Sequence, residues 1–490
     1  MPRRLPRVAQ VPSAVVHWSR RTLQRARISR KFTTELYLDD KEGPTRSYAR
    51  AMLRERTERT PFLHKADRLS LLQKLWIPPL NTSLQPRTAH CLAAALYRAR
   101  QLRHIVLSQP DAGDNILFET PALGVAICYL RTLKSLDLRS PSAALLGLLP
   151  ILQSSPTHVS IMHTYWDGEG GVQPLPALSS LKKSLRSFEL YGVQASAPPL
   201  EPGEPLPDVS RLVLASSSIP HIAPFISTFP RPRHVMMHDI TEENFKLPDD
   251  QDTARHYNLQ AQEVARWPAL DLLSGGLRSL YVHAVQSPAR TLSVRDCTTD
   301  DREISMLATL LSDARPERLH VEVWPKLSKP EHLPRALEAS PPLSHLTLAL
   351  YVNYNDSDDI VRDTLESVVE LAARHPLASL DVRLCREDHH KHSPDDPNPN
   401  ARFVAALDST ALAQRLVQAV PTLRRLFLSI PNHRRSRAWQ VLGEGADRAP
   451  RELGFRAMKA AARQEGVVVY ENYIGHGFIF PLPGSLKYPW

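Results

Sequence analysis

Glycine is scarce in this chain, with 18 residues among 490. Loops that cradle phosphate groups need several glycines close together, because their backbone must approach the ligand closely. The sequence contains no glycine-rich phosphate loop, no Gly-x-Ser-x-Gly segment and no His-Glu-x-x-His segment. The common motifs of nucleotide-binding proteins, serine hydrolases and zinc peptidases are therefore missing, and the sequence predicts no enzyme and no cofactor.

Cysteine is scarce as well, and the four residues, Cys91, Cys128, Cys297 and Cys385, lie far apart in the sequence. Because none of them forms a Cys-x-x-Cys pair, we expect neither a disulfide framework nor a structural zinc site, and we expect a reducing compartment. Cys297 and Cys385 fall at a turn position after a predicted strand. Small side chains are buried at such positions, so neither thiol is predicted to be a catalytic nucleophile.

Long apolar runs are missing too. The best candidate, residues 144–152, is far shorter than the ~20 residues of a membrane span and contains Pro150. We therefore expect a soluble protein that has no membrane as a partner and lies in the cytoplasm or the nucleus.

Acidic residues do not occur in residues 1–34, which contain nine Lys or Arg. Since the formal net charge of the whole chain is +10, the remaining sequence is close to neutral and predicts no nucleic-acid partner. The basic arm has no long apolar core, so it is not a secretory signal. Its composition suits a mitochondrial presequence and also suits a solvated basic helix, and both interpretations stay open.

A leucine-rich template recurs along the chain. Residues 377–385, LASLDVRLC, fit Leu-x-x-Leu-x-Leu-x-x-Cys with Val382 in place of the third Leu. Looser hexamers, apolar at the first, fourth and sixth residues, are LRHIVL from Leu102, LKSLDL from Leu133, LRSFEL from Leu185, VSRLVL from Val209, LRSLYV from Leu277, LSHLTL from Leu343 and LRRLFL from Leu423. Further copies are predicted to start at residues 33, 66, 156, 232, 289 and 316. The alternation within each hexamer predicts a strand with one buried face.

Helical patterns precede many of these predicted strands. They lie at residues 90–101, 122–132, 304–314, 359–375 and 409–422. Strands that alternate with helices of this length indicate crossover connections and a parallel sheet, so the sequence predicts an α/β fold.

The spacing between copies is irregular. The 45-residue step from Pro232 contains a polar stretch, residues 242–258, that we interpret as an insertion. The 12-residue step from Leu277 to Ala289 is too short for a crossover, so it indicates either a hairpin or one false match. Residues 192–208 and 386–400 are polar and rich in proline, which predicts exposed loops. After Pro431 the template ends, and residues 433–442 and 455–472 predict helices followed by a short strand.

The template resembles leucine-rich repeats, and the order of its first copies is similar to that of fungal F-box/leucine-rich-repeat proteins. The resemblance covers residues 33–430 and implies an irregular solenoid, a curved parallel sheet with helices on its convex side. It implies three regions: a basic arm (1–32), the solenoid (33–430) and a cap (431–490). The F-box itself is missing, because only 32 residues precede the first predicted strand, so the ligase scaffold is an uncertain partner.

Such a solenoid presents the variable strand residues on its concave face, where aromatic, His and Arg side chains are typical of protein-recognition surfaces. The columns predicted on this face contain Asp137, Glu189, Met236, Ser293, Glu322 and Asp381 beside the partner-binding candidates. These candidates are Arg139, Tyr191, His238, Tyr281, His283, Arg295, His320 and Arg383.

The expected function is therefore non-catalytic protein recognition, with no metal site. The resemblance implies substrate recognition in ubiquitin-dependent turnover without an intact F-box. Two alternatives stay open: a mitochondrially imported leucine-rich-repeat protein, and a metal-dependent enzyme that uses the loop of residues 388–396, where His389, His390 and His392 lie among aspartates. The sequence does not identify the partner.

Overall fold

A computed structural model describes seventeen segments of the chain. They are residues 35–37, 72–77, 86–108, 121–141, 143–162, 173–192, 200–215, 221–238, 248–298, 300–324, 332–338, 340–352, 358–386, 403–404, 406–430, 436–443 and 445–465. The chain divides into two compact units, unit 1 (Met1–Pro232) and unit 2 (Arg233–Trp490).

Unit 1 contains a parallel sheet whose strands follow one another in sequence order. Its strands are β1 (Glu35–Tyr37), β2 (Lys74–Ile77), β3 (His104–Ser108), β4 (Ser135–Arg139), β5 (His158–Met162), β6 (Ser187–Tyr191) and β7 (Arg211–Ala215). Its helices are α1 (Pro86–Arg98), α2 (Pro121–Cys128), α3 (Ala143–Leu146), α4 (Pro174–Ala177) and α5 (Ala223–Thr228), with short 3-10 turns at Leu149–Ile151 and Leu178–Leu181.

Unit 2 repeats this arrangement and ends differently. Its strands are β8 (His234–His238), β9 (Leu270–Gly276), β10 (Ala289–Thr298), β11 (Arg318–Trp324), β12 (His345–Val352), β13 (Ser379–Arg386), β14 (Arg425–Ser429), β15 (Arg437–Leu442) and β16 (Ala449–Glu452). Strands β8 to β14 are parallel, whereas β15 and β16 pair antiparallel. Its helices are α6 (Pro248–Val264), α7 (Leu277–His283), α8 (Asp301–Ala314), α9 (His332–Glu338), α10 (Asp358–Ala373), α11 (Ser409–Ala419) and α12 (Phe455–Glu465).

The predicted α/β class with mostly parallel strands is confirmed, and the hexamer pattern explains it. In LKSLDL, the first, fourth and sixth residues, Leu133, Leu136 and Leu138, are all buried, whereas Asp137 and Arg139 remain half-exposed. Each buried leucine stabilises the fold by about 1.5–3 kcal/mol relative to an exposed one. The same alternation in the other hexamers that form strands buries one face of each of these strands.

Three predictions from the sequence are wrong. Residues 248–264 form helix α6, so the polar stretch read as an insertion lies largely in the helix between β8 and β9. LRSLYV at Leu277 is part of helix α7 and not a strand, which confirms the interpretation of the 12-residue step as one false match. The strand before Ala289 is β9, whose sequence LDLLSGG does not fit the template. Residues 437–442 form strand β15, where a helix was predicted.

The physical reason for the second error is the spacing of the leucines. Leu277 and Leu280 are three residues apart, which places both on one side of a helix as readily as it fits the template. Both side chains are fully buried in α7. The sixth residue, Val282, is apolar and buried as well, so this hexamer fits the template at all three positions and still forms a helix.

Other predictions fall partly or wholly outside the described residues. The copy at residues 66–71 lies outside them, and the neighbouring strand is β2, at residues 74–77. The loop of residues 387–400 and the arm of residues 1–32 lie outside as well. Within 192–208, the described residues 200–208 contain neither helix nor strand.

At the end of unit 2, α12 packs on the polar side of the last strands. Met458, Ala461 and Ala462 of α12 form a buried cluster with Phe427 of β14 and Ala438 of β15. The helix predicted within residues 455–472 is confirmed for residues 455–465, and residues 466–472 lie outside the described part of the chain.

Candidate functional site

The polar face of the sheet in unit 1, which we call face 1, lies opposite the buried leucines. Strand register arranges its side chains in three rows, because paired residues of neighbouring strands point to the same side. The rows are Lys74, His104, Ser135, His158, Ser187 and Arg211; then Trp76, Val106, Asp137, Ser160, Glu189 and Val213; then Ser108, Arg139, Met162, Tyr191 and Ala215.

A carboxylate between two imidazoles lies near the middle of face 1. Oδ2 of Asp137 is 3.0 Å from Nε2 of His104, and Oδ1 is 3.9 Å from Nε2 of His158. All three side chains are about one fifth exposed, so they are ordered and still reachable from solvent. Within the described residues, no group of three His, Cys, Asp or Glu side chains is arranged to hold a metal ion.

Glu189 organises the neighbouring part of face 1. The hydroxyl of Tyr191 donates to Oε2 of Glu189 at 2.9 Å, and Nη2 of Arg211 lies 3.3 Å from Oε1. Glu189 is buried, while Tyr191 and Arg211 are half-buried. The carboxylate thus fixes an aromatic and a basic side chain, which lowers the entropic cost of ordering them when a partner binds.

Arg139 and Tyr191 lie where the sequence predicts, in one row of face 1 with Met162 between them. The guanidinium carbon of Arg139 is 5.5 Å from the ring centroid of Trp76, within the range of a cation–π contact.

Sequence reasoning missed Trp76, His104, His158 and Arg211. Strand alternation gave a signal for the last three. Each lies on the polar face, two positions before the residue that corresponds to the first predicted column. Trp76 was missed because the predicted copy starts at residue 66, whereas residues 72–77, LQKLWI, fit the template and bury Leu72, Leu75 and Ile77.

In unit 2, the polar face carries a group of ionisable side chains, which we call the unit 2 cluster: Arg295 on β10, His320 and Glu322 on β11, and Asp381 and Arg383 on β13. Glu322, Asp381 and Arg383 are buried, whereas Arg295 and His320 are half-buried. Strand β12 separates β11 from β13 and contributes the small residues Thr347 and Ala349 at the paired positions. The short side chain of Ala349 leaves Glu322 and Arg383 without a bulky residue between them. Three partner-binding candidates from the sequence, Arg295, His320 and Arg383, are therefore brought together.

Electrostatics in the unit 2 cluster are dominated by burial. Glu322 is 5% exposed, and burial raises the pKa of its carboxyl group from 4.5 to about 7, against the opposing effect of Arg295. Burial also raises the pKa of Asp381, against the attraction of Arg383. The pKa of His320 is lowered well below 6.5, by burial and by Arg383 and Arg295. The cluster therefore holds a carboxyl group that exchanges a proton near neutral pH.

A β-bulge positions the β10 side of this cluster. The register between β10 and β11 shifts between Val294 and Cys297, and Asp296 adopts a left-handed conformation with φ of 56°. Bulges of this kind redirect side chains and often occur next to functional sites. The sequence gives little signal for it, since Asp296 follows Arg295 in an otherwise regular strand pattern.

Two candidates, Tyr281 and His283, are not on a strand face, and this corrects the prediction. Both lie in helix α7. The Tyr281 hydroxyl donates to Oδ1 of Asp252 at 2.8 Å, and the Arg255 guanidinium carbon is 4.6 Å from the centre of its ring. His283 is 1% exposed, with Nδ1 2.7 Å from the carbonyl oxygen of Ser279. Tyr281 therefore connects α7 to α6, and His283 forms a contact within α7.

His238 ends strand β8, and its side chain lies outside the described residues, as do the histidines of the 388–396 loop.

Cys297 and Cys385 are buried, as expected, but they lie within strands β10 and β13 and not at the predicted turn position. The pKa of Cys297 is raised far above its usual value by burial and by the nearby carboxylates of Glu303, Asp300 and Asp296. Cys385 belongs to a buried cluster with Ala349 and Tyr351. The Cys297 thiol therefore stays protonated, which makes it a poor nucleophile.

Comparisons with known proteins identify no relative. No protein-family model matches the sequence, and a search of curated proteins finds no match. Of the helices within the described residues, none combines the length and the apolar character that crossing a lipid bilayer demands.

Proposed function

We propose that this protein is a non-catalytic recognition protein whose partner is a protein bound on face 1, and that its sheets are those of an irregular leucine-rich-repeat solenoid. The observation that carries this proposal is the ordering of exposed or half-exposed aromatic, basic and imidazole side chains on one sheet face. Tyr191 and Arg211 are fixed by Glu189, Arg139 lies over Trp76, and His104 contacts Asp137.

The physical argument rests on the cost of binding. Long side chains lose conformational freedom when they enter an interface, about 0.5–1.5 kcal/mol for each. On face 1 much of this cost is met before a partner arrives, because the side chains already contact one another. Tyr, Trp and Arg are also the residues that contribute most to protein interfaces. Parallel strands in sequence order support a repeat architecture with one continuous face in each unit.

The setting that we propose, substrate recognition in ubiquitin-dependent turnover without an intact F-box, rests on the resemblance of the template to F-box/leucine-rich-repeat proteins. Affinity capture from the native host with the full chain and with a chain lacking residues 1–32 tests it. Recovery of a cullin-type scaffold with the full chain would support ligase membership, and other partners without a scaffold would leave an adaptor outside the ligase. Cleavage of the arm, seen by N-terminal sequencing of the mature chain, would favour the mitochondrial alternative.

Recognition through face 1 is tested by the double variant Arg139→Ala/Tyr191→Ala. We expect quantitative capture to lose a defined set of proteins with this variant. The matched control is Tyr257→Ala/Arg266→Ala, because both residues are exposed in unit 2 and the same two residue types are removed. Loss of the same proteins from both variants, or from neither, contradicts the proposal.

A further inference from the structure

A basic surface lies on unit 1 outside face 1, in the loops that lead from a helix or turn into a strand. Three of these loops carry the motif basic-x-Leu-basic immediately before the strand. They are Arg100-Gln101-Leu102-Arg103 before β3, Arg131-Thr132-Leu133-Lys134 before β4, and Lys183-Ser184-Leu185-Arg186 before β6.

The motif fixes where its side chains point. The central residues Leu102, Leu133 and Leu185 are fully buried, with 0% exposure. All six flanking basic residues are exposed. A buried leucine between two exposed cations holds the loop against the core and directs the cations to solvent. We name these six residues, Arg100, Arg103, Arg131, Lys134, Lys183 and Arg186, the edge array.

Backbone hydrogen bonds align the edge array. The amide of Lys134 donates to the carbonyl oxygen of Arg103 at 2.7 Å. Thr157 occupies the equivalent position before β5, with its amide donating to Lys134 O and its carbonyl oxygen accepting from the Arg186 amide, both at 2.9 Å. The inner positions therefore lie one strand apart, and Arg103 and Arg186 are separated by about 14 Å, three strand spacings.

The charge of the edge array is largely uncompensated. Arg186 pairs with Asp208 at 3.0 Å, and Arg131 donates to the side chain of Gln153. Among the described residues, no ion pair is formed by Arg100, Arg103 or Lys134. Basic residues near helix C-termini stabilise the helix dipole, which accounts for Arg100. It does not account for Arg103, Lys134 and Arg186, since these directly precede strands.

An exposed aromatic pair lies near the edge array. Tyr97 and Tyr129 are 54% and 53% exposed, and their ring centroids are 6.3 Å apart with planes tilted by 50°. Tyr97 precedes Arg100 by three residues, and Tyr129 precedes Arg131 by two. The two rings are tilted relative to each other and do not form the flat platform on which nucleobases stack.

We infer that the edge array and the Tyr97–Tyr129 pair bind an acidic protein segment that carries an apolar side chain. Four of the six cations are arginines, whose planar forks match carboxylates. The array spans about 14 Å, which matches about four residues of extended chain at about 3.4 Å each. The tyrosine pair supplies an apolar contact next to the charges. This site is separate from face 1, so it does not depend on the function proposed for that face.

Fluorescence anisotropy with the full chain tests this inference. The probe is a labelled peptide of glutamates with a central Phe-Leu pair, compared with the same peptide in which glutamine replaces glutamate. We expect binding of the glutamate peptide only. Arg103→Glu/Lys134→Glu should raise the Kd of the glutamate peptide by at least about tenfold, because two attractive charges become repulsive. The control Arg266→Glu/Arg463→Glu changes the net charge equally at exposed sites of unit 2 and should stay within about twofold.

Circular dichroism checks that each variant is folded. If Arg103→Glu/Lys134→Glu fails to fold, Arg100→Gln/Arg131→Gln is measured in its place. Failure of the glutamate peptide to bind at low ionic strength overturns the inference, and so does equal weakening in the control. Oligothymidylate and phosphatidylserine vesicles serve as competing probes. Tighter binding of either one, lost in the Arg103→Glu/Lys134→Glu variant, would assign the edge array to nucleic acid or to a membrane surface and would also overturn it.

Discussion

Arg383 and Asp381 form an ion pair between residues two apart on one face of strand β13, and each side chain is only 2% exposed. Nε of Arg383 donates to Oδ2 of Asp381 at 2.8 Å, and Nη2 of Arg383 contacts the same oxygen. The pair lies on the polar face of unit 2, opposite the buried Leu380 and Val382. This face therefore encloses charge, whereas on face 1 of unit 1 the charged side chains other than Glu189 remain half-exposed.

Arg383→Leu is predicted to destabilise unit 2 by about 3–5 kcal/mol, because it leaves the Asp381 carboxylate buried without its partner. The double variant Asp381→Leu/Arg383→Leu should recover most of this loss, since no uncompensated charge remains. Hydrogen exchange of β13 peptides, followed by mass spectrometry, measures the local free energy of opening without assuming that both units unfold together.

The exposed pair of Arg415 and Glu366 provides the control for this measurement. Arg415→Leu should cost less than about 1 kcal/mol, because exposed ion pairs contribute little. If the double variant is as unstable as Arg383→Leu alone, the loss of stability does not come from the unpaired Asp381 carboxylate, and the prediction is wrong.

Glu322→Gln is predicted to change how stability depends on pH. The pKa of Glu322 is about 7 in the folded protein, against 4.5 as its ordinary value, because of burial. A raised acid pKa means that the folded state binds the proton more tightly, so its stability is highest at low pH and falls as the pH rises from about 4.5 to 7. Above this window the buried carboxylate costs on the order of 3 kcal/mol.

Glutamine cannot lose a proton, so the variant should gain stability relative to the unmodified protein as the pH rises from 5 to 8. Hydrogen exchange of β11, corrected for the intrinsic effect of pH, measures the difference. Parallel stability curves for the two proteins across this range would contradict the assignment of the titration to Glu322.

Gly275→Ala is predicted to destabilise unit 2 by more than about 2 kcal/mol. A Cβ atom at this position would lie 2.0 Å from the carbonyl oxygen of Met237 on the neighbouring strand β8. Backbone atoms of paired strands cannot move away without breaking the ladder. Gly454→Ala is the matched control, since no atom lies within 4 Å of its Cβ position. Thermal unfolding of both variants measures the difference, and equal melting temperatures would be inconsistent with the close approach of β8 and β9.

Much of the fold follows from the sequence because the template specifies burial. At Leu133, Leu136 and Leu138, three apolar residues in the order of the template predict the strand and its buried face correctly. The prediction fails where the order is shared by two structures, as at Leu277 and Leu280, whose spacing of three also suits a helix. Strand β2 also fits the template, with Leu72, Leu75 and Ile77 buried, but the predicted copy starts at residue 66 instead. Strand β9 does not fit the template and could not be found in this way.

The sequence predicts which residues of the candidate sites share a sheet face, but it does not predict which of their side chains contact one another. Strand alternation places Arg139 and Tyr191 on one face, and the sequence alone gives that result. It does not give the neighbours of Glu322, because its relation to Arg383 depends on register across β12 and on the small side chain of Ala349. The burial of this cluster, which determines its pKa values, is a tertiary property that strand alternation does not encode.

Photo-crosslinking in the native host tests the central claim, that face 1 binds a protein, most directly. Benzoylphenylalanine in place of Tyr191 should form crosslinks to a defined protein, because this side chain lies on face 1 and is half-buried beside Glu189 and Arg211. The same group in place of Tyr257, 60% exposed on α6, should not crosslink to that protein. Crosslinks to the same proteins from both positions, or none from position 191, would contradict the account.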